Sequence, residues 1–211
     1  MNNHVLGKET TNYARLCRLL VDGGTKVFRG IFDKIHPPES LYHTLSTHRA
    51  FLESLYTGNQ RILNREQWRK LFPSTPSIVS SQNFDITLLT LLLRNISGLR
   101  PPDTGWNTLP PATDTSTEAD IIRVKYWRNE VYGHDSRAFV HDLMFDRYWQ
   151  DIQQTLIRLG GKRYGPVINT LKVEYMDPDV APRYRELLKQ WIEEDGKIDQ
   201  IEGKILHKKC L

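Results

Sequence analysis

Along most of the chain the apolar residues fall into helical registers. From Asn12 onward, Tyr13, Leu16, Cys17, Leu20, Gly24, Val27, Phe28, Ile31 and Ile35 recur at the three- and four-residue spacings of one helix face. The phase survives Gly23-Gly24, which predicts one long helix with Gly24 on its packed side; a break at Asp22, capping a second helix, is the alternative. Residues 1–10 read as a loose start. Pro37-Pro38 stops the helix, and Pro38-Glu39-Ser40 opens a second one through Tyr56, with Leu41, Leu45, Leu52 and Leu55 apolar and Gly58 at its end. Asn64 followed three residues later by Gln67 has the form of a capping box and predicts a short helix, Arg65 to Phe72. Residues 73–82, rich in Ser and Pro, read as loop. Asn83 is the expected cap of a helix from Phe84 to Ile96 that is apolar on nearly every face, hence the expected centre of the core. Its Arg94 reads as a basic residue at a helix C-terminus.

Residues 98–113 form a connection marked by Pro101-Pro102 and Pro110-Pro111, with Trp106 between. Such a length of loop is either functional or a surface strap pinned by the tryptophan. Asp114 or Ser116 caps the next helix, which carries Glu118 and Asp120 in its first turn and runs to Tyr132. Asp135-Ser136 fits a short turn, and a strong helix follows with Phe145, Tyr148, Trp149, Ile152, Leu156 and Leu159 in phase, ended by Gly160-Gly161. No β alternation is visible. An all-α helical bundle over residues 12–160 is expected, with 161–211 a C-terminal helical extension or linker. In that extension Pro182 to Glu194 is the expected helix, and Ile198, Ile201 and Ile205 mark a last short segment.

One position breaks the pattern. On a helical wheel at about 100° per residue, Ile121, Val124 and Val131 share a stripe, and Arg128 falls in the middle of it. Burying an unpaired charge is costly, so a guanidinium among core-facing positions needs partners. Gly133 ends the helix and His134 follows at once, so Arg128 and His134 are placed to meet in one small volume, with Asn129 able to orient them. Arginine holds a phosphate through two parallel hydrogen bonds, and histidine exchanges a proton near neutral pH. Cleavage of RNA by its own 2′-hydroxyl needs those functions and no ion. It also needs two proton-transfer groups, which a symmetric dimer supplies by doubling the set. A tie between two helix ends is the other use of the same arginine.

Charge and composition narrow the picture further. A net charge of +4, from 29 basic and 25 acidic residues, permits an anionic partner without demanding one. Cys17 and Cys210 are far apart and form no CxxC pair, which argues against a cysteine zinc site and a disulfide framework and favours the cytoplasm. The polar start Met1-Asn2-Asn3-His4 lacks the apolar core of a signal peptide. The longest apolar run, Ile86 to Leu93, is too short for a bilayer, so no membrane is expected. His36, His43 and His48 have no metal-ligand spacing, Asp177 and Asp179 read as turn residues, and there is no phosphate-cradling glycine loop. No cofactor or metal is expected.

The stretch Arg128-Asn129, then Gly133-His134, resembles the R-x(4–6)-H signature of the HEPN superfamily. Asn83-Phe84-Asp85-Ile86-Thr87-Leu88-Leu89, Leu92-Leu93-Arg94-Asn95-Ile96, Pro110-Pro111-Ala112-Thr113-Asp114 and Tyr148-Trp149-Gln150-Asp151-Ile152 resemble one of its branches. That branch is the domain shared by the DAZ-interacting zinc-finger ubiquitin ligase and many invertebrate multidomain proteins. The resemblance covers residues 12–160. It implies a helical bundle that often forms a homodimer with its motifs face to face. In active relatives the histidine and arginine perform metal-independent endoribonuclease chemistry; carried over, His134 is the acid/base group, Arg128 the phosphate clamp, and Asn129 the polar residue after it. Other members have lost activity and serve as RNA-binding or adaptor modules in innate-immune and signalling proteins. No RING or other zinc ligands are present, so ligase activity is not carried over.

Overall fold

The structure, a computed structural model, describes residues 3–58, 61–133, 138–177 and 180–209, with side chains described for 7–58, 61–133, 138–177 and 180–200. Among the described residues there is no strand. The helices are α1 (Asn3–Arg18), α2 (Gly24–Ile35), α3 (Leu41–Thr47), α4 (Arg49–Thr57), α5 (Arg65–Leu71), α6 (Ile86–Asn95), α7 (Thr117–Gly133), α8 (Asp142–Gly160), α9 (Gly165–Val173) and α10 (Ala181–Lys209). None of them is long and apolar enough to cross a membrane.

The predicted long first helix is present as one helical run from Asn3 to Ile35, but it is not all α. Leu19–Gly23 form a π turn, and Gly24 continues in right-handed helical geometry. The extra residue of a π turn shifts the register, so Leu19, Leu20 and Val21 are all buried in succession. A side chain at Gly23 would lie 3.2 Å from Leu19, 3.5 Å from Leu156 and 3.7 Å from Leu171, so the glycine allows α8 and α9 to come close. The run also begins earlier than expected. Residues 3–10 are helical, and contacts made far along the chain fix them. Glu9 is buried and paired with His141, the Val140 amide donates to the Glu9 carbonyl, and Asn12 donates to the Val140 carbonyl and to Asp142.

Other boundaries moved for local reasons. The helix expected from Pro38 to Tyr56 is interrupted at His48, just after the exposed Thr47, whose hydroxyl bonds back to the His43 carbonyl. Asn64 and Gln67 form the capping box as expected. The central helix is capped by Asp85, not Asn83: Asp85 accepts from the Leu88 amide at 2.8 Å, while Asn83 sits in a 3-10 turn. Ser116 caps α7 by accepting from the Ala119 amide. The two pieces expected near the end of the chain are one helix, α10.

The chain divides into two compact units. The first comprises residues 1–27 and 101–192. Here α7 packs on α8 and both pack on α1, with α9 against α1 and α8. The core is Tyr13, Leu16, Cys17, Leu20, Ile121, Val124, Phe145, Trp149, Ile152, Leu156, Ile168 and Leu188. Trp106 is buried, and Arg123 donates to the Pro111 carbonyl, so the proline-rich connection is strapped down. The second unit comprises residues 28–100 and 193–211. Its centre is α6, in which Ile86 and every residue from Leu88 to Arg94 are buried. Around it lie Phe28, Phe32, Leu41, Leu45, Leu52, Leu71 and Phe84.

Candidate functional site

Helix α7 puts Arg128 on the stripe the wheel assigned to it. Ile121, Val124 and Val131 are buried, and Arg128 itself is only 1% exposed. The buried guanidinium is held on three sides. Its Nε and Nη2 donate to the Asn129 Oδ1, at 3.1 and 3.0 Å. Its Nη1 approaches the Trp191 carbonyl at 3.5 Å, at the edge of hydrogen-bond range. Its central carbon lies over the Trp191 ring, 4.8 Å from the ring centre. Cation–π attraction strengthens when the cation is desolvated, as it is here. Asn129 is exposed, and its carbonyl oxygen serves as the acceptor that orients the arginine. His134 lies outside the described residues, as does the turn at Asp135-Ser136.

Trp191 reaches this position from α10, which makes a second contact of the same kind with α7. Arg185, six residues before Trp191, stacks over Tyr132 at 5.2 Å, four residues after Arg128. Each helix thus offers one cation and one ring to the other. On the neighbouring face of α7, Trp127 meets Tyr126 and Tyr148, both at 5.2 Å. Nearer the start of α7, Asp120 is 1% exposed and holds Arg123 at 2.7 Å and Arg158 through both carboxylate oxygens, at 2.7 and 2.9 Å. In the same unit burial pushes the Cys17 thiol up to about 12, too high for a nucleophile at neutral pH.

The second unit holds another buried arginine, and the sequence signal for its role was absent. Arg94 is clasped by Asp195 at 2.7 Å and Asp199 at 2.8 Å, and its side chain and that of Asp195 are each 2% exposed. It lies in the last turn of α6, as expected, and there it is a buried ion-pair centre. Close by, Gln67 donates to Glu194 at 3.1 Å and to the Thr87 hydroxyl at 3.0 Å. Burial raises the Glu194 carboxyl above its ordinary value, against the hydrogen bonds from Thr87 and Gln67 that favour its ionised form.

An all-helical chain with an arginine of this kind near the end of a helix, followed by Gly-His, can be compared with known families. The DZIP3/hRUL138-like HEPN model matches residues 38–184, well over half of the chain. The chain belongs to that HEPN family. Two relatives are similar over most of this chain's length. The human E3 ubiquitin-protein ligase DZIP3 is 30% identical over 151 residues, which is 70% of this chain and 12% of the human protein. Its mouse counterpart is 30% identical over 154 residues, 72% of this chain and 13% of the mouse protein. The chain thus spans about an eighth of the length of these relatives. No solved structure matches it. The HEPN match includes Arg128 and Asn129 but stops short of Trp191, so the ring that covers the arginine comes from beyond the matched residues.

Proposed function

We propose that this chain is a non-catalytic HEPN module that binds another protein, with Arg128 as an internal strut. The burial of Arg128 carries the reading. A phosphate clamp has to present its guanidinium fork to the phosphate. Here the guanidinium sits over an indole, two of its nitrogens donate to Asn129 and the third approaches the Trp191 carbonyl, with 1% of the residue exposed. That arrangement fits a tie between α7 and α10 better than a group that meets RNA.

The test is to incubate the purified protein with labelled single-stranded RNA in EDTA, beside His134→Ala and Arg128→Ala. The reading expects no cleavage that depends on His134. Cleavage by the wild type that His134→Ala abolishes would overturn it, and would establish the ribonuclease in which His134 is the acid/base group and Arg128 the clamp.

A further inference from the structure

In the second unit, the segment from Arg61 to Asn64 leads into α5 and is tied by its backbone to the end of α4. The Arg61 amide donates to the Gly58 carbonyl at 3.0 Å, and the Ile62 and Leu63 amides both donate to the Leu55 carbonyl, at 2.9 and 3.2 Å. Ile62 and Leu63 are buried, which anchors the segment. Asn64 then starts α5 through its capping box. The backbone at Arg61 and Arg65 is therefore fixed twice over, by a turn and by a cap. Both arginines line a pocket of about 500 Å³, together with Tyr56, Thr57, Leu63 and Asn64.

The pocket is one-sided in charge. Arg61 and Arg65 are exposed, and neither forms an ion pair with a described residue. Among the described residues that line the pocket there is no carboxylate. The nearest acid in sequence, Glu66, is already paired with Lys70 at 2.9 Å. Two arginines lining one pocket, with no carboxylate among its described lining residues, suit a ligand carrying two negative charges on one group. A phosphate monoester is such a group, and arginine forks match its oxygens bidentately. Tyr56, which is half-buried, is the aromatic residue among the described lining.

Peptide and nucleic acid both carry phosphate, and the aromatic groups here separate them. Single-stranded nucleic acid binds by stacking bases on open ring faces. The rings beside this pocket already stack on each other. Tyr56 lies flat on Trp68, 4.9 Å apart at 8°, and Trp68 packs on Phe72 at 4.5 Å. Arg49 covers Phe72 at 4.6 Å and Trp68 at 5.8 Å. Trp68 is engaged by both Tyr56 and Phe72, so among the described lining residues one ring, Tyr56, borders the pocket, where a stacking groove would offer a row of them.

We propose that this pocket binds a phosphorylated side chain of a peptide, with Arg61 and Arg65 as its phosphate clamp. The choice of a peptide partner rests on the interaction-module reading above; the location rests on the pocket alone. The experiment is fluorescence anisotropy with labelled degenerate peptides centred on phosphoserine, phosphothreonine or phosphotyrosine, their unphosphorylated counterparts, and single-stranded poly(U). At least one phosphorylated pool is expected to bind. Arg61→Ala and Arg65→Ala should each weaken it by roughly tenfold, in keeping with loss of a charge-assisted pair. Arg100→Ala, an exposed arginine away from the pocket in sequence, should change nothing. Because Arg61 and Arg65 are exposed, unchanged circular dichroism and melting are expected for both variants. Equal binding of phosphorylated and unphosphorylated pools, or binding that ignores both substitutions, overturns the proposal. Poly(U) binding that depends on Arg61 and Arg65 and exceeds every peptide pool also overturns it. Failure here leaves the His134 cleavage test untouched, so the two readings fail separately.

Discussion

Arg128→Ala separates a strut from a clamp. In this structure the substitution removes a desolvated cation–π contact at 4.8 Å and two hydrogen bonds that converge on one acceptor. The contact with the ring contributes about 2 kcal/mol when desolvated. The two bonds go to an exposed asparagine, which water can re-satisfy, so about 1 kcal/mol net is reasonable for them. The space left by a fully buried side chain adds to the cost, and release of a buried charge offsets part of it. The sum is a loss of about 3 kcal/mol. For a chain of this size that is a fall in melting temperature of roughly 6–12 °C. Chemical denaturation followed by tryptophan fluorescence, with thermal scans beside it, measures both quantities. Arg128→Lys should recover only part of the loss, because an ammonium lacks the fork by which two guanidinium nitrogens reach Asn129. A melting temperature within about 1 °C of wild type for Arg128→Ala would refute the reasoning.

Three further outcomes follow from other parts of the fold. Asp195→Ala leaves Arg94 with a lost buried partner and should cost about 3–5 kcal/mol in denaturant titrations; Asp199→Ala should cost less, because Asp199 is 22% exposed. Glu194 has a folded-state carboxyl raised above its ordinary value by burial, so the folded chain holds that proton more tightly than the unfolded one. Its contribution is fully present below pH 4.5 and is lost as pH rises through the folded value; Glu194→Gln should therefore be more stable than wild type at pH 7 and equal to it near pH 4, by melting temperature. Cys17, buried with its thiol pushed up to about 12, should resist iodoacetamide at pH 8 in the native protein and react once denatured, as read by peptide mass spectrometry.

What could be read in the sequence was local. The capping box at Asn64 and Gln67, the serine cap of α7 and the phase of α1 through α2 depend on neighbours within four residues, and such spacings are visible in a single chain. The wheel also placed Arg128 on a buried stripe, and it is buried. What the arginine meets was not visible. Trp191 reads as one more apolar position on a C-terminal helix, 63 residues away. Arg94 is a sharper case: its aspartates lie 101 and 105 residues along the chain, and nothing in α6 announces them. The start of α1 failed for the same reason, since residues 3–10 are held by Val140, His141 and Asp142 and have little apolar periodicity of their own. The cap of α6 was read as Asn83, but Asp85, two residues on and able to accept the same bond, takes that place, and the helix starts later for it. His134 lies outside the described residues, so its relation to Arg128 is a question for the cleavage experiment.

The measurement that bears most directly on the strut is a double-mutant cycle between Arg128 and Trp191. Arg128→Ala, Trp191→Leu and the double variant are unfolded in denaturant under one set of conditions. If the arginine is held by the indole, the two losses are not additive, and the coupling should be about 1–2 kcal/mol. Additive losses, with a coupling near zero, would mean that Trp191 does not hold the guanidinium and that Arg128 is kept in place for some other purpose.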